Sequence, residues 1–458
     1  VDLLADEDFW KDEGDIATRA TSEKVLQKVA KVVPNLFGGS ADLAPSNKSL
    51  MKDREYYSKE NATGSNVHFG IREFAMTAMA NGMAVHGGVR PYIAGFYVFA
   101  DYMKAGLRME SLMGLPVISI LTHDSIGVGE DGPTHQPIEH MAMLRSLPNY
   151  NVFRPCDTRE TAAAWYTALT SKTTPTGLIL SRQNLPALEG TGKGALKGAY
   201  VLKDCEGTPD VLLMASGSEV ELIYKAFDEL AAKGVKARVI SMPCWELYEA
   251  QDAEYKESVM PKAVRARLAV EAASDFGWHK YVGMDGDIIC MESPLEGEAN
   301  DDIYEKTTLT EILNWCNATG KNFWEYVEET EGKDSGVWEH LELVWKVMQE
   351  AVERGIEAEG ALPGHLHIRR KAMSYHVRAF GQGDTFKTRG LVFAFALAVS
   401  EENACGGTIV TAPTCGACAV VPSVLKYMQD KKGFSDSGRS NKVKRFFETL
   451  GPRQVNNR

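Results

Sequence analysis

Apolar positions in the first half of the chain switch repeatedly between two periods. Val25, Leu26, Val29, Val32 and Val33 recur at helical spacing, and Pro34 ends the run. Residues 36–40 then read as a short strand opening into a turn at Ala44, Pro45 and Ser46. Ile71, Phe74, Ala75, Ala78, Met79 and Met83 return to helical spacing. Residues 116–122 (PVISILT) are continuous, β-branched and short, the pattern of a strand buried on both faces. A helix over 158–169 and a strand over 177–181 follow. Strands alternating with helices predict a parallel sheet covered on both sides. Residues 183–203, rich in Gly, Leu and Lys, are expected to be a linker into a second α/β unit. There 211–216, 235–241, 267–271 and 287–291 read as strands. Residues 218–233 read as a helix with Val220, Leu222, Ile223 and Phe227 on its buried side.

The pattern changes at 292–305, which is acidic and aperiodic. Beyond it the signal is helical. Trp338, Leu341, Trp345, Met348 and Val352 form one apolar stripe, read as helix core. Residues 391–400 and 419–427 are expected to be buried helices, and the polar, basic tail after Phe434 to fray. No internal repeat stands out. The predicted fold class is α/β: two parallel-sheet α/β domains followed by a mainly α-helical fragment.

Composition narrows the function. At 458 residues the chain has room for about three domains. With 44% hydrophobic and 24% charged residues it reads as an ordinary soluble globular protein, not a collagen, coiled coil or disordered chain. The longest apolar run, 391–399, falls short of the roughly 17 residues that span a bilayer. A net charge of −12 disfavours nucleic acid and anionic membranes as partners, while a local basic pocket could still hold a small anion. Eight thinly spread cysteines suit a reducing cytoplasm rather than a disulfide framework. The chain opens on Val1 among acidic residues, so no signal peptide is expected, and the missing Met points to a start within a gene or after processing.

The densest chemistry lies in residues 123–137 (HDSIGVGEDGPTHQP), directly after a predicted buried strand. Ligands of open parallel sheets gather where strands end at their carboxyl side. His123 and His135 could carry protons or donate to an anion, and Asp131 could accept a hydroxyl hydrogen. Gly127, Gly129 and Gly132 let backbone approach a ligand. No metal site is expected, because no His or carboxylate cluster has ligand spacing. Residues 38–47 (GGSADLAPSN) form a strand-to-loop turn with two hydroxyls, an Asp and an Asn. Arg72 and Glu73 begin an otherwise apolar helix; Glu73 reads either as a dipole-stabilised first-turn carboxylate or as a buried acid. Residues 91–102 are dense in aromatics, and alone read as core before stacking platform.

Taken together, these segments resemble transketolase. ATR (17–19), the 38–47 run, GIRE (70–73), the 123–137 run and SRQNLP (181–186) occur in that family's order, over about residues 17–291. The resemblance implies a pyrimidine-binding domain over 1–190 and a truncated C-terminal domain over 200–292. It implies that Glu73 hydrogen-bonds the pyrimidine ring of thiamine diphosphate, favouring the tautomer that removes the thiazolium proton. That role needs a carboxyl pKa raised by burial. Phe96, Phe99 and Tyr102 would wall the pyrimidine, with Asp42 also on the cofactor's side. Asp42, His123, Asp131 and His135 would hold and protonate the sugar around a transferred two-carbon unit. Arg19, Ser46, His123 and Arg182 would bind its terminal phosphate through guanidinium forks. The family usually has His where Phe74 stands. Its diphosphate- and Mg²⁺-binding Gly-Asp-Gly is not matched here, so the Mg²⁺ would be held elsewhere, in a homodimer partner or a separate diphosphate-binding chain, and this chain alone is expected to be inactive.

Residues 295–436 resemble a second family, the iron–sulfur L-serine dehydratases, through GALPG (360–364), ALAVSEENA (396–404) and GTIVTAPTCGAC (407–418). That family's [4Fe–4S] cysteines lie mostly downstream, so Cys415 and Cys418 are expected to be ordinary small thiols, and a cluster is not expected. The 391–399 run should lose partners and form an exposed patch. Residues 437–458 are expected to be a disordered tail. Three readings follow: a transketolase half-enzyme, a serine ammonia-lyase fragment, or a composite reading frame without activity.

Overall fold

The computed structural model describes residues 2–432 apart from 129–131, 292–304, 307–308, 333–335, 364–366, 382 and 411–414. Asp131, most of the acidic 292–305 stretch and the tail after 432 lie outside the described residues. The chain divides into two compact units, Val1–Glu298 and Ala299–Arg458.

The first unit holds two sheets. β1 (Leu36–Ser40), β2 (Asn66–His68), β3 (Arg90–Phe96), β4 (Ile118–Thr122), β5 (Asn151–Phe153) and β6 (Thr176–Leu180) form one, in the order β2-β1-β3-β4-β6-β5 and parallel throughout. Its helices are α1 (Thr18–Val32), α2 (Ala44–Asn47), α3 (Glu73–His86), α4 (Ala100–Met113), α5 (His140–Arg145) and α6 (Thr158–Thr170). Side chains of α1 and α6 cover one face, and α3 and α4 the other. Crossovers of this kind bury both faces, which is why β4 is buried at every position, Ser119 and Thr122 included.

The second sheet has the order β11-β10-β8-β9-β7, from β7 (Tyr200–Lys203), β8 (Val211–Ala215), β9 (Ala237–Ser241), β10 (Arg267–Val270) and β11 (Asp287–Ile289). Only β7 runs antiparallel, against β9. Its helices are α7 (Glu219–Ala232), α8 (Trp245–Glu249), α9 (Ala253–Val259) and α10 (His279–Val282). The expected linker over 183–203 is thus corrected: its last four residues are an edge strand with Tyr200 and Leu202 buried, and Lys193–Lys197 is a 3₁₀ turn. Alternation over four residues is too short to stand out among Gly and Lys.

One apolar cluster runs between the sheets, from Leu26 and Trp165 to Val220 and Val239. A buried charge network crosses the same junction. Arg154, fully buried, donates to Asp124 at 2.9 Å, to the Ser216 carbonyl at 3.0 Å and to Glu219. Arg145 forks onto Glu271 at 2.6 and 2.8 Å, and its guanidinium lies 3.6 Å from the Trp245 ring. These cations, Arg145 foremost, outweigh desolvation and hold the Glu271 carboxyl down at about 2.

The second unit contains α11 (Leu309–Thr319), α12 (Phe323–Glu331), α13 (Val337–Glu357), α14 (Ala372–Phe380), α15 (Asp384–Ala404) and α16 (Cys415–Lys432). The patch expected at 391–399 is largely closed. Ala394, Phe395, Ala398 and Val399 are buried, because α15 packs against α13, α14 and α16; Phe393 is exposed. Among the described residues no helix is long and apolar enough to cross a membrane.

Candidate active site at the carboxyl edge of the first sheet

The central strands β1, β3, β4 and β6 end on the same side, and the candidate residues lie at those ends. Gly38 and Gly39 bring β1 close to its neighbours: a Cβ would meet the Tyr92 carbonyl at 1.9 Å and the Val67 carbonyl at 2.0 Å. The chain then turns through exposed Asp42, at φ 64°, into α2 with half-buried Ser46. Buried Asn47 accepts from the Ser40 hydroxyl at 2.7 Å and donates to the Thr122 hydroxyl at 2.8 Å.

That bond reaches from the end of β1 across β3 to the end of β4, and it orients His123. The histidine is buried and left-handed, at φ 64°. Its Nδ1 lies 2.9 Å from the Thr122 hydroxyl and its Nε2 3.5 Å from Arg19 Nη1. Arg19 can only donate, so the pattern assigns the Nε2 lone pair to Arg19 and the proton to Nδ1. Burial drives the His123 pKa down to about 3, helped by the cations of Arg19 and Arg182 and by His135. The ring is therefore neutral at ordinary pH. Arg19 is anchored in turn, donating to the Ser46 carbonyl at 2.9 Å. It sits in the first turn of α1, and that turn is tied to the segment carrying Arg182 because the Ser181 amide donates to the Thr18 hydroxyl at 2.7 Å.

Aromatic rings form the adjoining wall. Phe96, at the end of β3, lies 3.8 Å from the His123 ring and stacks on Phe99 at 5.9 Å and 10°. Phe99 leads to exposed Tyr102 at 6.1 Å. His135, held by the Thr134 hydroxyl at 2.8 Å, turns its ring edge-on to Phe96 and Phe99. The 91–102 segment thus divides its aromatics: Tyr92 and Tyr97 enter the core, Phe96 is buried against His123, and Phe99 and Tyr102 step progressively outward.

The structure therefore brings together Arg19, Ser46, Phe96, Phe99, Tyr102, His123 and His135, with Arg182 acting electrostatically on His123. Glu73 occupies the first turn of α3 and is only half-buried, so this chain by itself does not supply the burial its acid role requires. Asp131 lies outside the described residues. Asn47, Thr122 and Asp124 were not among the predicted site residues; Asn47 closed the flagged 38–47 run, and nothing in the sequence signals that Arg154 grips Asp124. A cavity of about 480 Å³ opens beside β1 and β2, lined by Ser40, Asp42, Lys48, Tyr56, Asn66 and His68 among others.

A four-strand carboxyl edge with two cations, a neutral histidine and an aromatic wall suits a planar cofactor beside a phosphorylated polar substrate. Comparison with known proteins gives this arrangement a family. Residues 14–187 match the family described as transketolase, pyrimidine binding domain, and residues 198–310 the transketolase-like C-terminal domain. These parts of the chain are those two domains. The transketolase of Halalkalibacterium halodurans is 54% identical over 281 residues, 60% of this chain and 42% of the relative. That of Staphylococcus aureus is 53% identical over 304 residues, 65% of this chain and 46% of the relative. The solved transketolase of Leishmania mexicana aligns at a TM-score of 0.60 and 41% identity, covering 62% of this chain and 42% of its own. A Pichia stipitis transketolase in complex with sedoheptulose 7-phosphate aligns at 0.59 and 41%, covering 61% and 42%. The relatives are transferases, and the chain spans less than half of their length.

Proposed function

We propose that this chain supplies the pyrimidine side of a thiamine diphosphate site that moves a two-carbon ketol unit between sugar phosphates. The observation that carries the reading is the convergence of Arg19, His123 and the Phe96–Phe99–Tyr102 wall on one sheet edge. The bound cofactor supplies the carbon nucleophile. The chain's own residues do the rest. The aromatic wall seats the pyrimidine, with Asp42 beside it. Glu73 hydrogen-bonds the ring once a partner surface completes its burial. Neutral His123 offers hydrogen-bonding capacity to the sugar, His135 and Asp131 exchange protons with its hydroxyls, and Arg19, Ser46 and Arg182 hold its phosphate. This chemistry belongs to the cytoplasm, in keeping with the thinly spread thiols.

We also propose that the site is completed by a second polypeptide surface. What supports this is apolar area left outward around Glu73: Ile71 is 78% exposed, and Phe74 and Met79 are exposed beside it on α3, as are Leu112 and Met113 on α4. Exposed apolar surface of this kind marks an interface. A diphosphate- and Mg²⁺-holding domain, from a homodimer partner or a separate chain, is its occupant. The purified 458-residue chain, given thiamine diphosphate, Mg²⁺, xylulose 5-phosphate and ribose 5-phosphate, is expected not to turn over. Addition of a diphosphate-domain chain restores turnover, and His123→Ala abolishes it again. Rapid turnover by the chain alone refutes the incompleteness; silence of the pair refutes the transketolase reading.

For the helical unit we propose kinship with L-serine dehydratase, without a cluster. In support, two of the runs that suggest it are tied together. The Arg370 amide donates to the Gly360 carbonyl at 2.9 Å, and its guanidinium pairs with Glu402 at 3.2 Å and meets Cys405. Source-DNA reads that split between the codons for residues 285 and 305 would make the whole a composite of two parents.

A further inference from the structure

Four buried side chains stand in file from the end of β1 to the end of β4, and the last of them is His123. The Ser40 hydroxyl donates to Asn47 Oδ1 at 2.7 Å, so the Asn47 amide turns its Nδ2 hydrogens to Thr122 Oγ1 at 2.8 Å. Thr122 Oγ1 in turn lies 2.9 Å from His123 Nδ1. Asn47 can offer Thr122 only a donor. Thr122 is less constrained. With one lone pair taken by Asn47, its oxygen keeps a second lone pair and its own hydrogen. It can accept from a protonated Nδ1 or donate to a bare one.

The other ring nitrogen decides between the two. Nε2 lies 3.5 Å from Arg19 Nη1, which only donates, so Nε2 keeps its lone pair and Nδ1 carries the hydrogen. A phosphate presents the opposite chemistry, because its oxygens are strong acceptors. On the reading of Arg19, Ser46 and Arg182 as phosphate holders, an anion drawn to the two guanidinium groups meets Nε2 lone pair against lone pair. A proton from solvent would remove that mismatch, and so would a hydrogen moved from Nδ1 to Nε2. Protonation is opposed. Burial foremost, then Arg19, Arg182 and His135, hold the ring pKa down at about 3, and none of those groups is a carboxylate. An anion offsets the two guanidinium charges but not the burial. Moving the hydrogen leaves the ring neutral, and Thr122 can follow by turning its hydroxyl.

We propose that His123 exchanges tautomers when phosphate binds, with Thr122 as the hydroxyl that serves both states and Asn47 as the residue that fixes Thr122. In the empty site Nδ1–H donates to Thr122 Oγ1. In the occupied site Nε2–H donates to a phosphate oxygen, and the Thr122 hydroxyl donates to Nδ1. The ring gives up one hydrogen at Nδ1 to solvent and takes one at Nε2, so its charge and the proton count do not change. Thr122 and Asn47 are positioning residues that act through His123. They also make the ring a discriminator. A phosphate end selects the Nε2–H tautomer, whereas a hydroxyl end can donate to the bare Nε2 and requires no exchange.

The test is a titration of the full chain, carrying ¹⁵N-labelled histidine, with inorganic phosphate at about pH 8, where phosphate is chiefly the dianion. Long-range ¹H–¹⁵N spectra report which ring nitrogen holds the hydrogen, and the signal lost in His123→Asn identifies the residue. The empty chain is expected to show Nδ1 protonated and Nε2 bare, and saturating phosphate to reverse them. Thr122→Ser keeps a hydroxyl and should keep the exchange. Thr122→Val should abolish it and weaken phosphate about tenfold, because Nδ1 would be left buried without a donor. A protonated Nε2 in the empty chain, two protonated nitrogens at saturation, or parental affinity in Thr122→Val overturns the exchange. No response of His123 to phosphate overturns it together with the phosphate-holding role of Arg19 and Arg182. Turnover of the reconstituted pair is read separately, so an exchange without turnover sinks the transketolase reading alone.

Discussion

Two surfaces of the first unit carry side chains that a lone domain could not leave as they are, and the chain treats them oppositely. At the junction of the two sheets, Arg154 and Arg145 are buried among Asp124, Glu219 and Glu271, and both guanidinium groups donate to acceptors within the chain. On the outer face of α3 and α4, Ile71, Phe74, Met79 and Leu112 stay in water. The α3–α4 contact beneath is tight: Asn81 donates to the Gly106 carbonyl at 2.9 Å, and a Cβ on Gly106 would meet Thr77 at 2.5 Å. The helices are therefore well seated, and their apolar outer residues are not a sign of loose packing. Polar groups closed within the chain fix the two domains as one body; apolar groups left open call for another surface.

The sharpest way to break this contrast is to remove the cation at the closed junction. Arg154→Met would leave Asp124 and Glu219 buried with their charge uncompensated. Breaking a buried pair from one side costs about 3–5 kcal/mol. Urea unfolding of the full chain is expected to show a loss of that size, and a loss below about 1 kcal/mol would show that the junction does not hold the domains. Because Asp124 follows His123, the damage should also reach the candidate site. A shift in the His123 ring resonances of the folded variant would register it.

The next effect is smaller and depends on pH. Folded His123 resists protonation down to about 3, whereas its ordinary value is 6.5. Between those values the unfolded chain binds a proton that the folded chain does not, so this contribution is full above pH 6.5 and is lost as pH falls toward 3. The slope is at most about 1.4 kcal/mol per pH unit. Stability measured from pH 7 to 5 should fall less steeply in His123→Asn than in the parent; equal slopes would mean that His123 is not desolvated in solution.

These residues also show what the sequence made legible. β1, β4 and β6 were readable because strands covered on both faces are apolar and short, and the site residues at their ends followed from chain order. β3 was not, since Pro91 and Gly95 interrupt its pattern. The Asn47–Thr122–His123 chain and the Asp124–Arg154 pair were hidden for another reason. Each joins residues that become neighbours only through strand order, here across β3 and across β6. Periodicity found α3 as well, but a 3.6-residue repeat marks an apolar stripe without saying what covers it. Ile71, Phe74 and Met79 were legible as a helix face and illegible as a surface.

The open face gives the smallest stability effect and the most direct test of the contrast. Phe74→Ser together with Leu112→Ser changes side chains already in water, so unfolding free energy should move by no more than about 0.5 kcal/mol. If the face docks a second surface, the same pair should abolish self-association in sedimentation velocity, or binding of a diphosphate-domain chain, because each serine removes apolar area the contact would bury. Association unchanged by both substitutions would place the contact elsewhere. A large loss of stability would instead mean that this face is closed within the chain in solution, and the contrast with the Arg154 junction would fall.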